Sequence, residues 1–191
     1  MHYVGIDPGL SGAIAVIELG GAVTIFDVPT HQVKVGKKMK NIIDAYHLAT
    51  ILQGISANQD IAVAIEKVTP MPSVPGVLDE ERRTMGATSA FNFGMGYGIY
   101  VGVLSALRIH FQEVHPATWK RAMMDGAGKE KKAARIRAAR LFPVAASKLT
   151  REKDDGRAEA LLIAEWGRRN YFDRPVNRFM NQGSQQPEIP F

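Results

Sequence analysis

Five carboxylates stand where a folded chain does not put an acid without a compensating charge. Asp7 ends the apolar run HYVGI, and Glu66 ends DIAVAI. Asp154, Asp155 and Glu159 lie in DDGRAEALLIAEW, where Leu162, Ile163 and Trp166 follow Glu159 at offsets of three, four and seven. That spacing puts Glu159 on the apolar stripe of a helix. Like charges one turn apart cost a helix about 0.2–0.5 kcal/mol, and a buried unpaired carboxylate costs far more. A positive partner is expected beside it.

Asp7 and Glu66 each mark the point where the backbone leaves a strand. If those strands are parallel neighbours, both acids emerge at one carboxyl edge, the usual site of chemistry in open α/β sheets. The last helix can bring Asp155 and Glu159 to that edge, with Asp154 the less favoured of the adjacent pair. Hard oxygen ligands without a His or Cys pattern select Mg2+ or Mn2+ over zinc. Two such ions, about 4 Å apart, can hold the attacking and leaving oxygens of a phosphodiester in line. Structural roles compete with this reading. Asp7 can shape the turn before Pro8 and Gly9, Glu66 can pair with a Lys or Arg, and Asp154 or Asp155 can cap the last helix.

The charge pattern points to a polyanion. The chain carries +5 overall. Between Lys120 and Arg140 there are eight basic residues (Lys120, Arg121, Lys129, Lys131, Lys132, Arg135, Arg137, Arg140) against Asp125 and Glu130, a local +6. A second cluster, KVGKKMK, holds Lys34, Lys37, Lys38 and Lys40 and no acid. Two such clusters suit a polyanion partner better than plain solvated surface does.

The elements that must position these residues read as one α/β domain. HYVGI, AIAVIEL and AVTIFDV form an antiparallel meander, with DPGLSG and GG at its turns. NIIDAYHLATILQGI is helical, with a stripe of Ile42, Tyr46, Ala49 and Leu52. DIAVAI is a buried strand, and IHFQEV is a fifth. KVTPMPSVPGVLDEERRTMG, around residues 68–85, reads as a loop or flap. The helix from Ala87 to Leu107 places Gly94, Gly98, Gly102 and Ala106 on one face, for close contact with either the sheet or a second subunit. PATWKRAMM and KEKKAARIRAARLF are two basic helices. The domain occupies residues 1–170. The polar tail from 171 to 191 is expected to be extended or disordered.

With 191 residues, 46% hydrophobic and 23% charged, the chain can bury one sizeable core. It has no cysteine, which excludes a disulfide scaffold and thiolate zinc sites. No run approaches membrane-spanning length, and MHYVGIDPGL has no signal-peptide pattern. A cytoplasmic protein is expected.

An ordered set of segments resembles the RuvC-like Holliday-junction resolvases of the ribonuclease-H-like superfamily, and the phage-borne branch above the cellular one. The set is GIDPGLSGAIAV, VAIEKV, SAFNFGMGYGIYVGVLSAL, VHPATWKRAMMDGAGKEKKAARIRAARLF and KDDGRAEALLIAEW. The resemblance implies a mixed five-stranded sheet flanked by helices, its first three strands antiparallel. It implies two Mg2+ per site, replaceable by Mn2+, held by Asp7, Glu66, Asp155 and Glu159. Lys120, with Lys129, Lys131 or Lys132, would contact scissile-strand phosphates, and Arg121, Arg135, Lys37 and Lys38 would add to the DNA surface. It implies a homodimer that resolves four-way junctions, leaving 5′-phosphate ends. The chain departs from the family's pattern at Glu159, where Asp is usual, at Gly156, where some cellular members carry an acid, and in the length of the 68–85 segment.

Other readings differ in substrate or class. The same chemistry would serve a broader flap or replication-fork nuclease. DPGLSGAIAV also resembles the phosphate loop of actin-like ATPases, but a second such loop and a longer chain are missing. A catalytically silent junction binder would not be expected to keep the full acid set. The terminal PEIPF resembles the tips through which single-strand-binding proteins dock replication and repair partners.

Overall fold

The computed structural model describes residues 1–57, 60–69, 87–124 and 132–171. The proline-rich segment, Lys129, Lys131 and the C-terminal tail lie outside the described residues.

Five strands form one sheet: β1 (His2–Asp7), β2 (Ala13–Glu18), β3 (Val23–Asp27), β6 (Ile61–Glu66) and β7 (Phe111–Val114), in the order β3-β2-β1-β6-β7. The first three are the expected antiparallel meander, and Gly21 takes the positive φ of 84° that the β2–β3 turn requires. β6 and β7 add parallel to β1. The mixed sheet expected from the sequence is therefore present.

Helices cover both faces. Val4, Ile6, Val63 and Ile65 enter a core with Leu48, Leu52 and Ile55 of α1 (Ala45–Ser56) and Tyr100 and Leu104 of α2 (Ala87–Ala106). Tyr3, Ala13, Ala15, Ile17 and Ala64 enter a second core with α5 (Asp155–Tyr171). Beyond α5 lie α3 (Pro116–Met123) and α4 (Ala133–Leu141), so α5 is buried on both sides and residues 160–166 are all shielded from solvent. Each fully buried Leu or Ile there contributes about 1.5–3 kcal/mol.

Two expectations are corrected, and of two open alternatives one is removed. Residues 41–43 are not helical; they finish a second, two-stranded sheet, β4 (Thr30–Val35) with β5 (Lys38–Ile43). Asp44 caps α1 by accepting the His47 amide at 3.0 Å, so the helix starts later. Its buried stripe is accordingly Leu48, Leu52 and Ile55, and Tyr46 is 77% exposed. The glycine face of α2 does not meet the sheet: a Cβ at Gly94, Gly98 or Gly102 would have nothing within 4 Å. Tyr100 and Leu104 make that contact instead.

The closest packing is between α5 and the start of the chain. A Cβ at Gly5 would sit 2.2 Å from the Ala160 carbonyl and the Ala164 amide. One at Gly156 would sit 2.2 Å from the Ser11 carbonyl and 2.7 Å from Gly12 Cα. A second anchor fixes the same helix end. Arg157 grips both oxygens of Asp27 at 2.5 Å, and buried Asp154 pairs with Arg151 at 2.8 Å and Arg157 at 3.6 Å. Gly156→Ala is expected to lower stability by about 1–3 kcal/mol through overpacking against backbone. Gly54→Ala, on an exposed turn of α1 with nothing within 4 Å, should raise it by up to about 1 kcal/mol. Thermal melts of the two variants check this, and equal effects would refute the docking constraint.

Candidate active site

β1 and β6 run parallel with Ile6 opposite Ile65, so the next residues, Asp7 and Glu66, leave the sheet side by side. Strand alternation turns both toward α5, because Ile6 and Ile65 belong to the opposite core. Glu159 comes one turn into α5, just past the Gly156 contact that presses the helix onto Ser11 and Gly12. Three of the expected acids thus meet at the carboxyl edge.

Their electrostatics reflect that meeting. Asp7 keeps part of its surface accessible, yet burial pushes its carboxyl up to about 7. The Gly9 amide, donating to Asp7 Oδ1 at 3.2 Å, opposes this; Glu159 and Glu66 add to it, and Lys120 opposes it. The turn-shaping role expected of Asp7 is therefore realised alongside its place in the cluster. Burial also raises Glu66, against the indole N–H of Trp119 and the charge of Lys120, while Glu159 adds to the rise.

The positive partner of Glu159 is Lys120, whose Nζ lies 3.2 Å from Glu159 Oε1 and 5.1 Å from the centre of the Trp119 ring. Trp119 is fully buried and donates Nε1–H to Glu66 Oε2 at 2.6 Å. Sequence reasoning did not single out Trp119. Its signal was there: a tryptophan on the apolar face of a basic helix needs an acceptor for its N–H once buried. Tyr100 was missed too. Its buried hydroxyl has no hydrogen-bond partner among the described residues, and burial together with the charge of Asp7 raises its pKa.

The other predicted residues divide. Asp155 has a partner of its own: Arg135 Nε donates to its Oδ1 at 2.7 Å, and Arg135 Nη1 donates to the Thr150 carbonyl at 3.3 Å. Arg135 is turned inward, its side chain 14% exposed, so it is a poor candidate for the DNA surface. Asp154 is 1% exposed and belongs to the Arg151–Arg157–Asp27 network. Arg121 and Lys132 are exposed on α3 and at the start of α4. Lys37 and Lys38 lie at the tip of the β4–β5 hairpin.

Among the described residues no three His, Asp or Glu side chains are already gathered at metal-binding spacing. The donor chemistry nevertheless fits a hard divalent cation. Asp7 and Glu66 are desolvated carboxylates raised by burial, Glu159 adds a third negative charge, and the ammonium of Lys120 acts on both Asp7 and Glu66.

No protein-family model and no curated protein matches the sequence. Solved structures do. A structure of Thermus thermophilus RuvC aligns with a TM-score of 0.52 at 16% identity, over 89% of this chain and 97% of that one. T. thermophilus RuvC in complex with a Holliday junction substrate aligns with a TM-score of 0.50 at 14% identity, over 86% and 90% of the two chains. The chain has the RuvC fold. Nearly the whole of the RuvC chain is matched, so the likeness takes in the sheet and the helices on both its faces.

The raised pKa of Asp7 sets a pH dependence. A carboxyl whose folded pKa lies above its unfolded value of 3.8 destabilises the fold once ionised. The penalty is absent below about pH 4, grows toward pH 7 and is complete above it. In chelator, Asp7→Asn should therefore melt above the parent at pH 8, with the gap shrinking as the pH falls to about 4–5. A gap independent of pH would show that Asp7 is not desolvated.

Proposed function

We propose that this chain is a structure-selective DNA endonuclease that resolves four-way junctions by hydrolysing phosphodiesters with divalent metal. The observation that carries the reading is the meeting of Asp7, Glu66 and Glu159 beside Lys120 at the carboxyl edge of a RuvC-type sheet. The complex of T. thermophilus RuvC with a Holliday junction supports the choice of substrate.

Asp7, Glu66 and Glu159 would hold Mg2+, with Mn2+ as substitute. When bound, such ions would supply Lewis acidity to the phosphodiester and a water of lowered pKa. The chain's own residues do the rest. Trp119 engages one oxygen of Glu66 and fixes its carboxylate plane, leaving the other oxygen to a ligand. Lys120, 45% exposed, holds a non-bridging phosphate oxygen once DNA competes for its ammonium. Water oxygen bonds to phosphorus as the bond to the 3′ oxygen breaks. The 3′ oxygen leaves as a hydroxyl and the phosphate stays on the 5′ end. Asp155 supports the site through Arg135 and joins the metal set only by leaving that partner.

A junction is roughly two-fold symmetric, and paired nicks need two sites. The exposed glycine face of α2 supports a homodimer. Gly94, Gly98 and Gly102 are open, with Phe91 (70%), Phe93 (42%) and Met95 (47%) exposed on the same helix. Each glycine costs an exposed helix about 1 kcal/mol relative to alanine, a cost that close helix approach across a two-fold axis offsets. Gly98→Leu should convert dimer to monomer in light scattering while leaving the fold intact by circular dichroism. A parent that is already monomeric at micromolar concentration would remove the dimer.

The chemistry is tested with labelled four-way, three-way, flap and linear DNAs, each in Mg2+ and in chelator. Asp7→Asn and Glu66→Gln should reduce nicking by at least about 10³-fold while junction binding persists. Asp155→Asn is expected to cost only about tenfold. Equal losses at Asp7 and Asp155 would place Asp155 in the metal set, and preference for flaps would replace junction resolution with a broader branched-DNA nuclease. No metal-dependent cleavage of any substrate would end the proposal.

A further inference from the structure

The β4–β5 hairpin takes no part in the carboxylate site and is unusual in its exposure. It forms a sheet of its own, with Val33 opposite Lys40, Lys34 opposite Met39 and Val35 opposite Lys38. Solvent reaches both faces: Lys34, Lys37, Lys38 and Lys40 are exposed, Val35 is 50% exposed and Met39 57%. A free two-stranded hairpin is marginal in water, and among the described residues this one is held at its feet. The Asp44 amide donates to the Pro29 carbonyl at 2.9 Å, Val28 and Ile43 enter the core, and Ile43 lies against Gly96 of α2. Four lysines and no acid occupy residues 30–43.

Its place in the fold gives that charge a direction. Ala13 pairs with both Asp7 and Asp27, so β3 ends at the same sheet edge as β1. The hairpin springs from that end, two strands or roughly 10 Å from the carboxylates, and its six-residue strands extend roughly 20 Å. At 3.4 Å per base pair, that length matches about six base pairs of duplex.

We propose that the β4–β5 hairpin is a basic arm that grips duplex DNA leading away from the cleaved phosphodiester, through the phosphates flanking a groove. This rests on the reading of the chain as a DNA-junction nuclease and deepens it: the substrate class is a junction with arms long enough to reach the hairpin. Both faces are open because a ribbon lying along a groove meets a phosphate strand on each side. Charge complementarity decides the occupant. Apolar cross-strand pairing with a second copy would be opposed by the four lysines of each ribbon.

The test compares the full chain with a Lys34→Gln, Lys37→Gln, Lys38→Gln, Lys40→Gln variant and with the matching quadruple Lys→Arg variant. Binding to four-way junctions with 6-base-pair and 20-base-pair arms is measured in chelator across a salt series. For the long arms, the Gln variant should bind about 10- to 100-fold more weakly at low salt. Its plot of log Kobs against log salt should be shallower by about 2–4, roughly 0.9 for each phosphate that is no longer neutralised. The short-armed junction should show little difference, and the Arg variant should match the parent. Equal binding by the Gln and parent chains on long arms overturns the proposal. So does an equal loss on both arm lengths, which would put the hairpin at the crossover. A dimer that dissociates in the Gln variant would assign the ribbon to subunit pairing and overturn it as well. If the parent binds junctions and the hairpin contrast fails, the nuclease reading stands without the arm. If the parent binds no junction of either length, both fall.

Discussion

Everything at the carboxyl edge depends on how closely α5 can approach the chain's first strand and turn. Gly5, Gly12 and Gly156 are the positions where that approach leaves no room for a side chain. At Gly5 a methyl group would displace the α5 backbone, at Gly12 it would meet the Asp7 carbonyl at 2.1 Å, and at Gly156 it would meet the Ser11 carbonyl. Backbone does not yield as a flexible side chain does, so these contacts fix the helix in rotation and in height. Glu159 inherits its position from them. The Asp27–Arg157–Asp154 pairs hold the same end of α5 from the far side of the meander. Asp154 and Asp27 are held below the ordinary carboxylate range by their arginine partners. They stabilise the fold above about pH 4 and lose that contribution as pH falls through their lowered values.

The same packing sorts the carboxylates by chemistry. Those with guanidinium partners, Asp154, Asp27 and Asp155, have their charge met within the protein and act as struts. Among the described residues no guanidinium pairs with Asp7 or Glu66: a backbone amide, an indole and a shared ammonium oppose burial there, and both pKa values rise. That separation marks the candidate cluster better than sequence spacing does, since Asp155 is nearer in sequence to Glu159 than either of the other two acids.

Much of this was legible in the sequence, and the misses have physical reasons. Strand ends marked Asp7 and Glu66, because an acid closing an apolar run has few other uses, and the parallel β1–β6 pairing brought them together as the pattern implied. The β4–β5 hairpin was hidden because it buries almost nothing. Its alternation is short and lysine-rich, limited to Val33, Val35 and Met39 between polar neighbours, and the apolar pair Ile42 and Ile43 merged with the helix behind them. The glycine stripe of α2 was visible, but spacing alone does not say whether smooth means packed or open, and here it is open. The choice between Asp154 and Asp155 could not be read because it turns on Arg135, which reaches Asp155 from α4 only in the fold, while Asp154 is taken by its near neighbour Arg151.

Gly156 is where these constraints meet. An acid there would stand one turn before Glu159, on the same helix face, and would add a fourth carboxylate to the cluster. The close contact with Ser11 and Gly12 forbids it. The chain thus exchanges a possible ligand for a tighter dock of the helix that carries Glu159. The longer side chain of Glu159, compared with Asp, is consistent with that exchange: the dock fixes the helix axis, and the extra methylene carries the carboxylate outward to Lys120 and the edge of the sheet. A shorter acid on the same fixed axis would draw back from the Lys120 ammonium by about one bond length, roughly 1.5 Å. Glycine at 156 thus sets the helix axis, and glutamate at 159 sets the reach of the carboxylate from it.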